Sequence, residues 1–449
     1  MNVLASIRDR TLRAWPLALL AGALLFYARS YTNYFVCDDY QFVGRINFDN
    51  AADYFTKSWG YGNEYRPVVA YSYALDNAVS GESPVGRHIV NTLLHAANSI
   101  LIALLLIRLG VERNAAILAG AVYIVSPVGH EAVVWMAGRP VVLGAFFVLA
   151  SCYCFLQACA AERRAWRWWI GAYLAFILAL GTYEVAIVAP LLVTLTGRAA
   201  KIVFRKYWVH LATFFGIATA YALFWNWFFE FKITRFPVEE SILGGLHSLW
   251  LAATHTFHGS LRPAVAPIYA GLLIVFWRAR GSLKLTGLAA AWLTAAYLPF
   301  FIVRGYADRF AYLSSAAGAA VLALALAHLV KRSRAVGAST IIAVLCYFGA
   351  GMQHRITDWK EAGEIARNIT QDIKRALPEF PDDKLVVLLN IPPMHRRAYV
   401  YLTGLDRALQ REYPGQEIRF ATSLGASADE NSIVFEYADG RMKRRPVDP

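Results

Sequence analysis

Residues 15–40 read WPLALLAGALLFYARSYTNYFVCDDY, an apolar run that ends in an acidic doublet, Asp38-Asp39. The run 15–34 has the length of roughly 20 residues that crosses the hydrocarbon core of a bilayer. Working outward, the pattern recurs over 89–107, 141–161, 207–229, 285–303 and 311–330. Of 449 residues, 57% are apolar and 17% charged, against roughly 25% charged in a soluble domain. Helices of a soluble protein would carry polar stripes that these runs lack, so the sequence describes a polytopic membrane protein.

The formal charge of +13 is gathered in short clusters between the apolar runs, at 8–13, 108–113, 163–167, 198–206, 278–284 and 331–334. This is the positive-inside pattern of a membrane protein, and it argues against a nucleic-acid partner. Placing every cluster in the cytoplasm puts the amino terminus inside and the doublet outside. Residues 1–30 imitate a signal peptide but lack a small-residue cleavage site before Arg29, so the first run is read as an uncleaved helix. The five cysteines form no disulfide framework, because four lie in apolar segments and Cys37 has no outer partner.

The resulting fold class is an all-α polytopic membrane protein of about eleven spans with a small carboxyl-terminal α/β domain outside. The membrane unit is 1–353, with a long first outer loop at 35–88, and the outer unit is 354–449. Residues 246–261 are only moderately apolar and are read as interfacial or re-entrant, with 264–277 as the return span. In the outer unit, 358–377 and 399–412 pattern as helices, and 385–390, 418–421 and 433–437 as strands.

Polar residues on the outer face are the candidates for chemistry. Asp38 and Asp39 follow directly on a membrane exit, where a carboxylate can accept a proton from a hydroxyl or hold a divalent cation, or merely end a helix in water. Arg66 lies in the same loop, and His88, Asn91 and His95 fall on one face of the next helix. Such a stripe either binds a polar substrate or satisfies itself between helices. His130, Glu131 and Arg139 sit in a short outer turn, where a Glu131–Arg139 pair is the plain account. No second histidine follows at zincin spacing, so zinc is not assigned. Glu184 and Arg309 belong at the same level, and a cation there can hold a lipid-borne phosphate or pair with the adjacent Asp308.

Six stretches in order, VCDDYQFV (36–43), EYRPVVAYSYALD (64–76), GRHIVNTLLHAANSILIALLL (86–106), SPVGHEAVVWMAGRPVVLGAFFVL (126–149), GTYEVAIVAPLL (181–192) and DRFAYLSSAAG (308–318), resemble the membrane core of GT-C glycosyltransferases. Within that superfamily they are similar to the transmembrane and tetratricopeptide-repeat O-mannosyltransferases and their bacterial relatives. The resemblance implies inverting transfer of a sugar from a polyprenyl-phosphate carrier to a glycan, lipid or protein acceptor on the outer face of a plasma membrane, in bacteria the inner membrane. It implies that Asp38 or Asp39 is the catalytic base. Arg66, His88, Asn91, His95, His130, Glu131, Arg139 and Glu184 would bind substrate, and Arg309 and Tyr312 would contact the lipid phosphate. Two departures stand out: Tyr183 occupies a place where relatives often carry lysine, and the carboxyl terminus lacks tetratricopeptide repeats, which puts a protein acceptor in doubt. A divalent cation is compatible with the doublet but not required by it.

Intramembrane His, Glu and Arg also mark transport paths, so a transporter or flippase of lipid or polysaccharide is the competing reading. The outer placement of the polar residues and the lack of an internal repeat argue against it. A membrane scaffold displaying the carboxyl-terminal unit would leave the long loop unexplained.

Overall fold

The computed structural model describes residues 14–58, 64–229, 244–252, 282–302, 306–381, 384–423 and 432–445. Its membrane unit is built from helices α1 (Trp15–Phe26), α2 (Pro67–Ser80), α3 (Pro84–Arg108), α4 (Arg113–Val125), α5 (Arg139–Ala160), α6 (Ala165–Leu180), α7 (Ala189–Ala199), α8 (Phe204–Phe229), α9 (Ser282–Tyr297), α10 (Ser315–Arg332) and α11 (Arg334–Ala376). Among the described residues, α3, Met136–Ala160, α8, α10 and α11 are long and apolar enough to cross a bilayer. A bent pair, α4 with Pro127–Val133, makes a sixth. Most of 246–261 and all of 264–277 lie outside the described residues.

Local chemistry explains where helices depart from the apolar runs. The first run does not continue as one helix to residue 34: α1 stops at Phe26 and a 3-10 turn follows at Ala28–Ser30. There the Ser30 hydroxyl donates to Tyr27 O at 2.7 Å and the Tyr27 hydroxyl donates to Ile124 O at 2.9 Å, side-chain bonds that compete with helix propagation. The run from 114 to 128 bends by 51° where Pro127 lacks the N–H needed to continue. Small residues let neighbours approach closely: Ser99 on α3 donates to Gly120 O on α4 at 2.9 Å.

The 43-residue α11 is about 65 Å long at 1.5 Å per residue, twice a bilayer core. The separate helix expected at 358–377 is the polar end of this helix, since no proline interrupts 334–376. The expected boundary at 353/354 therefore falls inside continuous helix.

Beyond α11 a small sheet has the order β4-β1-β5-β6. Strand β1 (Val386–Leu389) runs parallel to β4 (Phe420–Ala421) and β5 (Ile433–Ala438). Strand β6 (Arg441–Arg445) returns antiparallel to β5 across Asp439-Gly440, both at positive φ, and its basic residues suit an exposed edge. A hairpin of β2 (Met394–His395) and β3 (Ala398–Tyr399) precedes α12 (Leu405–Glu412). The helix expected from 399 starts only at Leu405, because Tyr399 closes a buried strand and Gly404 turns the chain at φ 80°.

Candidate active site

The doublet splits into two environments. Asp39 opens a one-turn helix, Asp39–Phe42, and is buried. Its Oδ2 accepts from Val36 N at 3.0 Å and its Oδ1 from Ala137 N at 2.8 Å, tying the first outer loop to the turn before α5. Burial pushes its carboxyl up to about 8, against the pull of those two N–H groups. Asp38 is half-buried. Its Oδ1 accepts from Gln41 Nε2 at 2.8 Å and from the Thr403 hydroxyl. Among the described residues Oδ2 has no protein donor, which leaves it available to a hydroxyl.

Facing the doublet is a layer of paired charges. Arg309 lies in the turn Asp308–Ala311 and donates from Nη1 to Glu131 Oε2 at 3.1 Å and to the Tyr399 hydroxyl at 2.7 Å. Its guanidinium lies over the rings of Trp135, Phe310 and Tyr399. Burial works against its charge, but Glu131 beside it holds the guanidinium protonated above the ordinary arginine range. Nε and Nη2 have no protein acceptor among the described residues. Arg66 makes a two-point pair with Glu184 and also meets Glu64 at 2.9 Å. Burial raises the Glu64 carboxyl against the opposing pull of Arg66, and Glu184, Asp38 and Arg309 all act on it, so these groups share one electrostatic neighbourhood.

His130 is held between two partners. Trp359 Nε1–H donates to its Nδ1 at 2.9 Å, so Nδ1 is an acceptor and the proton sits on Nε2, 2.9 Å from Asp308 Oδ2. Asp308 also accepts from the Tyr306 hydroxyl at 2.8 Å. The expected Glu131–Arg139 and Asp308–Arg309 pairs do not form. Glu131 pairs with Arg309, and Asp308 with His130, because the bend after α4 carries 130–131 under the 308–311 turn.

Arg139 lies one layer deeper and fully buried. It donates to Asp76 Oδ2 at 2.8 Å, to Ser72 Oγ at 2.8 Å and to Asn91 Oδ1. Asn91 Nδ2 in turn donates to Trp135 O at 3.1 Å. His88 Nε2 is 3.2 Å from Asn33 O, and its Nδ1 has no partner among the described residues. His95 lies 2.8 Å from the Tyr312 hydroxyl and 3.3 Å from Ile124 O. Tyr312, expected beside a lipid phosphate, is instead buried with its hydroxyl between His95 and Asn98. The polar face of α3 thus bonds to neighbouring elements, while Arg66 with Glu184 and Glu131 with Arg309 pair between separate turns and loops.

Between α5 and the 308–313 segment lies a narrow cleft. Val141, Gly144, Val148, Tyr183, Phe300 and Phe310 wall it, and Arg309 supplies a cation to an otherwise apolar lining. No group of three or more His, Cys, Asp or Glu is arranged for a metal among the described residues. Both oxygens of Asp39 accept from backbone N–H groups, so the more open carboxylate oxygen of the doublet is Oδ2 of Asp38.

The profile of the dolichyl-phosphate-mannose-protein mannosyltransferase family matches residues 65–226. Human protein O-mannosyl-transferase TMTC2 is 33% identical over 117 residues, covering 25% of this chain and 14% of that protein. Drosophila melanogaster Tmtc1 is 35% identical over 138 residues, 30% of this chain and 15% of the relative. The chain therefore spans a small part of the length of the curated relatives it matches. Over the whole fold, the crystal structure of ArnT from Cupriavidus metallidurans bound to undecaprenyl phosphate superposes with a TM-score of 0.53 at 14% identity, covering 92% of this chain and 86% of ArnT. The Archaeoglobus fulgidus oligosaccharyltransferase in complex with Zn and sulfate gives 0.51 at 14% identity, covering 91% and 62%. The chain shares the fold of these two membrane transferases and is similar over a quarter to a third of its length to the TMTC O-mannosyltransferases.

The family match includes Arg66, His88, Asn91, His95, His130, Glu131, Arg139 and Glu184 and stops before Arg309. It also excludes the doublet. Sequence reasoning missed Trp359, Tyr399 and Thr403, which meet His130, Arg309 and Asp38 from within α11, from β3 and from the bend after β3. No spacing in the carboxyl-terminal unit signals them, since they meet the site only through tertiary packing.

Proposed function

We propose that this chain is an inverting membrane glycosyltransferase that moves a sugar from a polyprenyl-phosphate donor to an acceptor hydroxyl on the extracytoplasmic face. The observation that carries the reading is Arg309, held charged by Glu131 at an apolar cleft with Nε and Nη2 still to bond, and sharing a neighbourhood with Asp38. A lipid phosphate needs this combination of apolar wall and fixed cation.

In the proposed reaction the acceptor oxygen attacks the anomeric carbon while Asp38 Oδ2 takes its proton. The bond from that carbon to the phosphate oxygen breaks, and the electron pair leaves on the phosphate, which Arg309 stabilises. A positioned carboxylate base contributes about 10²- to 10⁴-fold, and preorganised charge at the leaving group supplies further acceleration. Asp39, with its carboxyl at about 8, is largely protonated near neutrality and serves to hold the loop. The base is therefore assigned to Asp38.

The same reading places the amino terminus in the cytoplasm, about eleven spans in a plasma membrane, in bacteria the inner membrane, and the unit 354–449 outside. A cytoplasm-active reporter fused after Pro449 is expected to be silent, and a bright one contradicts this topology. The function is tested by following undecaprenyl-phosphate-linked sugars in membranes with and without the protein. The expected result is faster donor consumption with release of undecaprenyl phosphate. A donor that crosses the bilayer intact, or one that is unchanged, overturns transfer and in the first case favours a flippase.

A further inference from the structure

The segment after β3 docks on both halves of the site. Cys37 N donates to Val400 O at 2.9 Å, and Cys37 Sγ lies 3.1 Å from Thr403 Oγ1. The Thr403 hydroxyl donates to Asp38 Oδ1. Gly404 adopts φ 80° with its α-carbon packed so tightly on Cys37 O that any side chain would collide with it. Four residues before Thr403, Tyr399 bonds Arg309 Nη1 at 2.7 Å and reaches Glu131 Oε1 at 3.4 Å. The segment is itself anchored to α11, where the Tyr401 hydroxyl donates to Ala366 O at 3.0 Å, and its ring stacks on Tyr40.

A carboxylate pinned at one oxygen by two donors has its plane fixed, and its second oxygen then points in one direction. For Asp38 one donor is Gln41, on the same one-turn helix and moving with it. The other, Thr403, is the restraint from a separate element. Resting on the reading of Asp38 as base and Arg309 as phosphate contact, we infer that residues 399–403 are a positioning element in which Thr403 orients Asp38 and Tyr399 orients Arg309. The carboxyl-terminal unit is on this view part of the active site, fixing the separation of proton acceptor and leaving-group cation, although it lies wholly outside the stretch matched to the mannosyltransferase family.

The test uses the full chain in lipid nanodiscs with undecaprenyl-phosphate mannose as probe donor, reading release of undecaprenyl phosphate. Thr403→Val is expected to lower kcat about tenfold, the loss of roughly one oriented charge-assisted hydrogen bond, with KM for the probe changed less than about twofold. Thr403→Ser, which keeps the hydroxyl, is expected to restore most of kcat. Tyr399→Phe keeps the ring over Arg309 and is expected to raise KM for the probe and to weaken undecaprenyl phosphate binding. If Asp38→Asn is inactive while Thr403→Val matches the parent, or if Ser fails to rescue, the positioning role is wrong and the base assignment stands. If the parent releases no undecaprenyl phosphate, or Asp38→Asn is as active as the parent, the functional reading itself fails.

Discussion

Arg66 and Glu184, 118 residues apart, form a two-point ion pair, with Nη2 2.7 Å from Oε1 and Nε 3.2 Å from Oε2. It clamps the first outer loop to the turn between α6 and α7, reinforced by Val68 N donating to Gly181 O at 3.0 Å.

Because a planar guanidinium makes this fork and an ammonium cannot, Arg66→Lys is expected to destabilise the outer face almost as much as Arg66→Ala. Glu184 keeps 28% of its side-chain surface exposed, so the loss belongs at the low end for a broken pair, about 1–3 kcal/mol. Thermal midpoints of the purified variants check this. A lysine variant as stable as the parent would mean that charge alone suffices.

Arg139 is a different case, since it and Asp76 are both fully enclosed. Arg139→Ala leaves the buried Asp76 carboxylate without its ion-pair partner, a loss of about 3–5 kcal/mol, and is expected to prevent accumulation of folded protein. Arg139→Met combined with Asp76→Leu, which removes both charges, is expected to recover folded yield. Size-exclusion profiles of the extracted variants distinguish the outcomes. A well-folded Arg139→Ala protein with weakened donor binding would return this residue to the substrate site.

Asp39 makes stability depend on pH. Its folded carboxyl stands at about 8, against about 3.9 in an unfolded chain. Between those values the folded state holds a proton that the unfolded chain has released. The stabilisation is therefore fully present below about pH 4 and is lost as pH rises through about 8. The thermal midpoint of the parent is expected to fall between about pH 5 and pH 8, and Asp39→Asn to flatten that decline. Equal slopes for the two proteins would remove Asp39 as the cause.

Much of this fold is legible because bilayer-spanning runs announce themselves by length and composition. Asp38, Arg66, Glu131, Glu184 and Arg309 are visible in the sequence as polar positions at the ends of apolar runs. Their pairing is not. Glu131 meets Arg309 instead of Arg139 because of a 51° bend at Pro127, which a hydropathy pattern does not carry. His88, Asn91 and His95 lie on one helix as their spacing predicts, and packing gives Asn91 and His95 hydrogen-bond partners on neighbouring elements. Tyr399 and Thr403 left no trace, since a threonine in a bend is common and only the docking of 399–404 on Cys37 makes it part of a site. Strand β6 was overlooked although Asp439-Gly440 is a recognisable hairpin turn, because its strongly basic sequence reads as solvent-exposed tail.

The central claim is that Asp38 takes the acceptor proton, and release of undecaprenyl phosphate from a lipid-linked sugar by Asp38→Asn tests it most directly. Asparagine preserves the shape and the contacts to Gln41 and Thr403 while removing the basic oxygen, so the account predicts a loss of about 10²-fold or more in kcat with a normal thermal midpoint. An Asp38→Asn protein that turns over donor at the parent rate would contradict it.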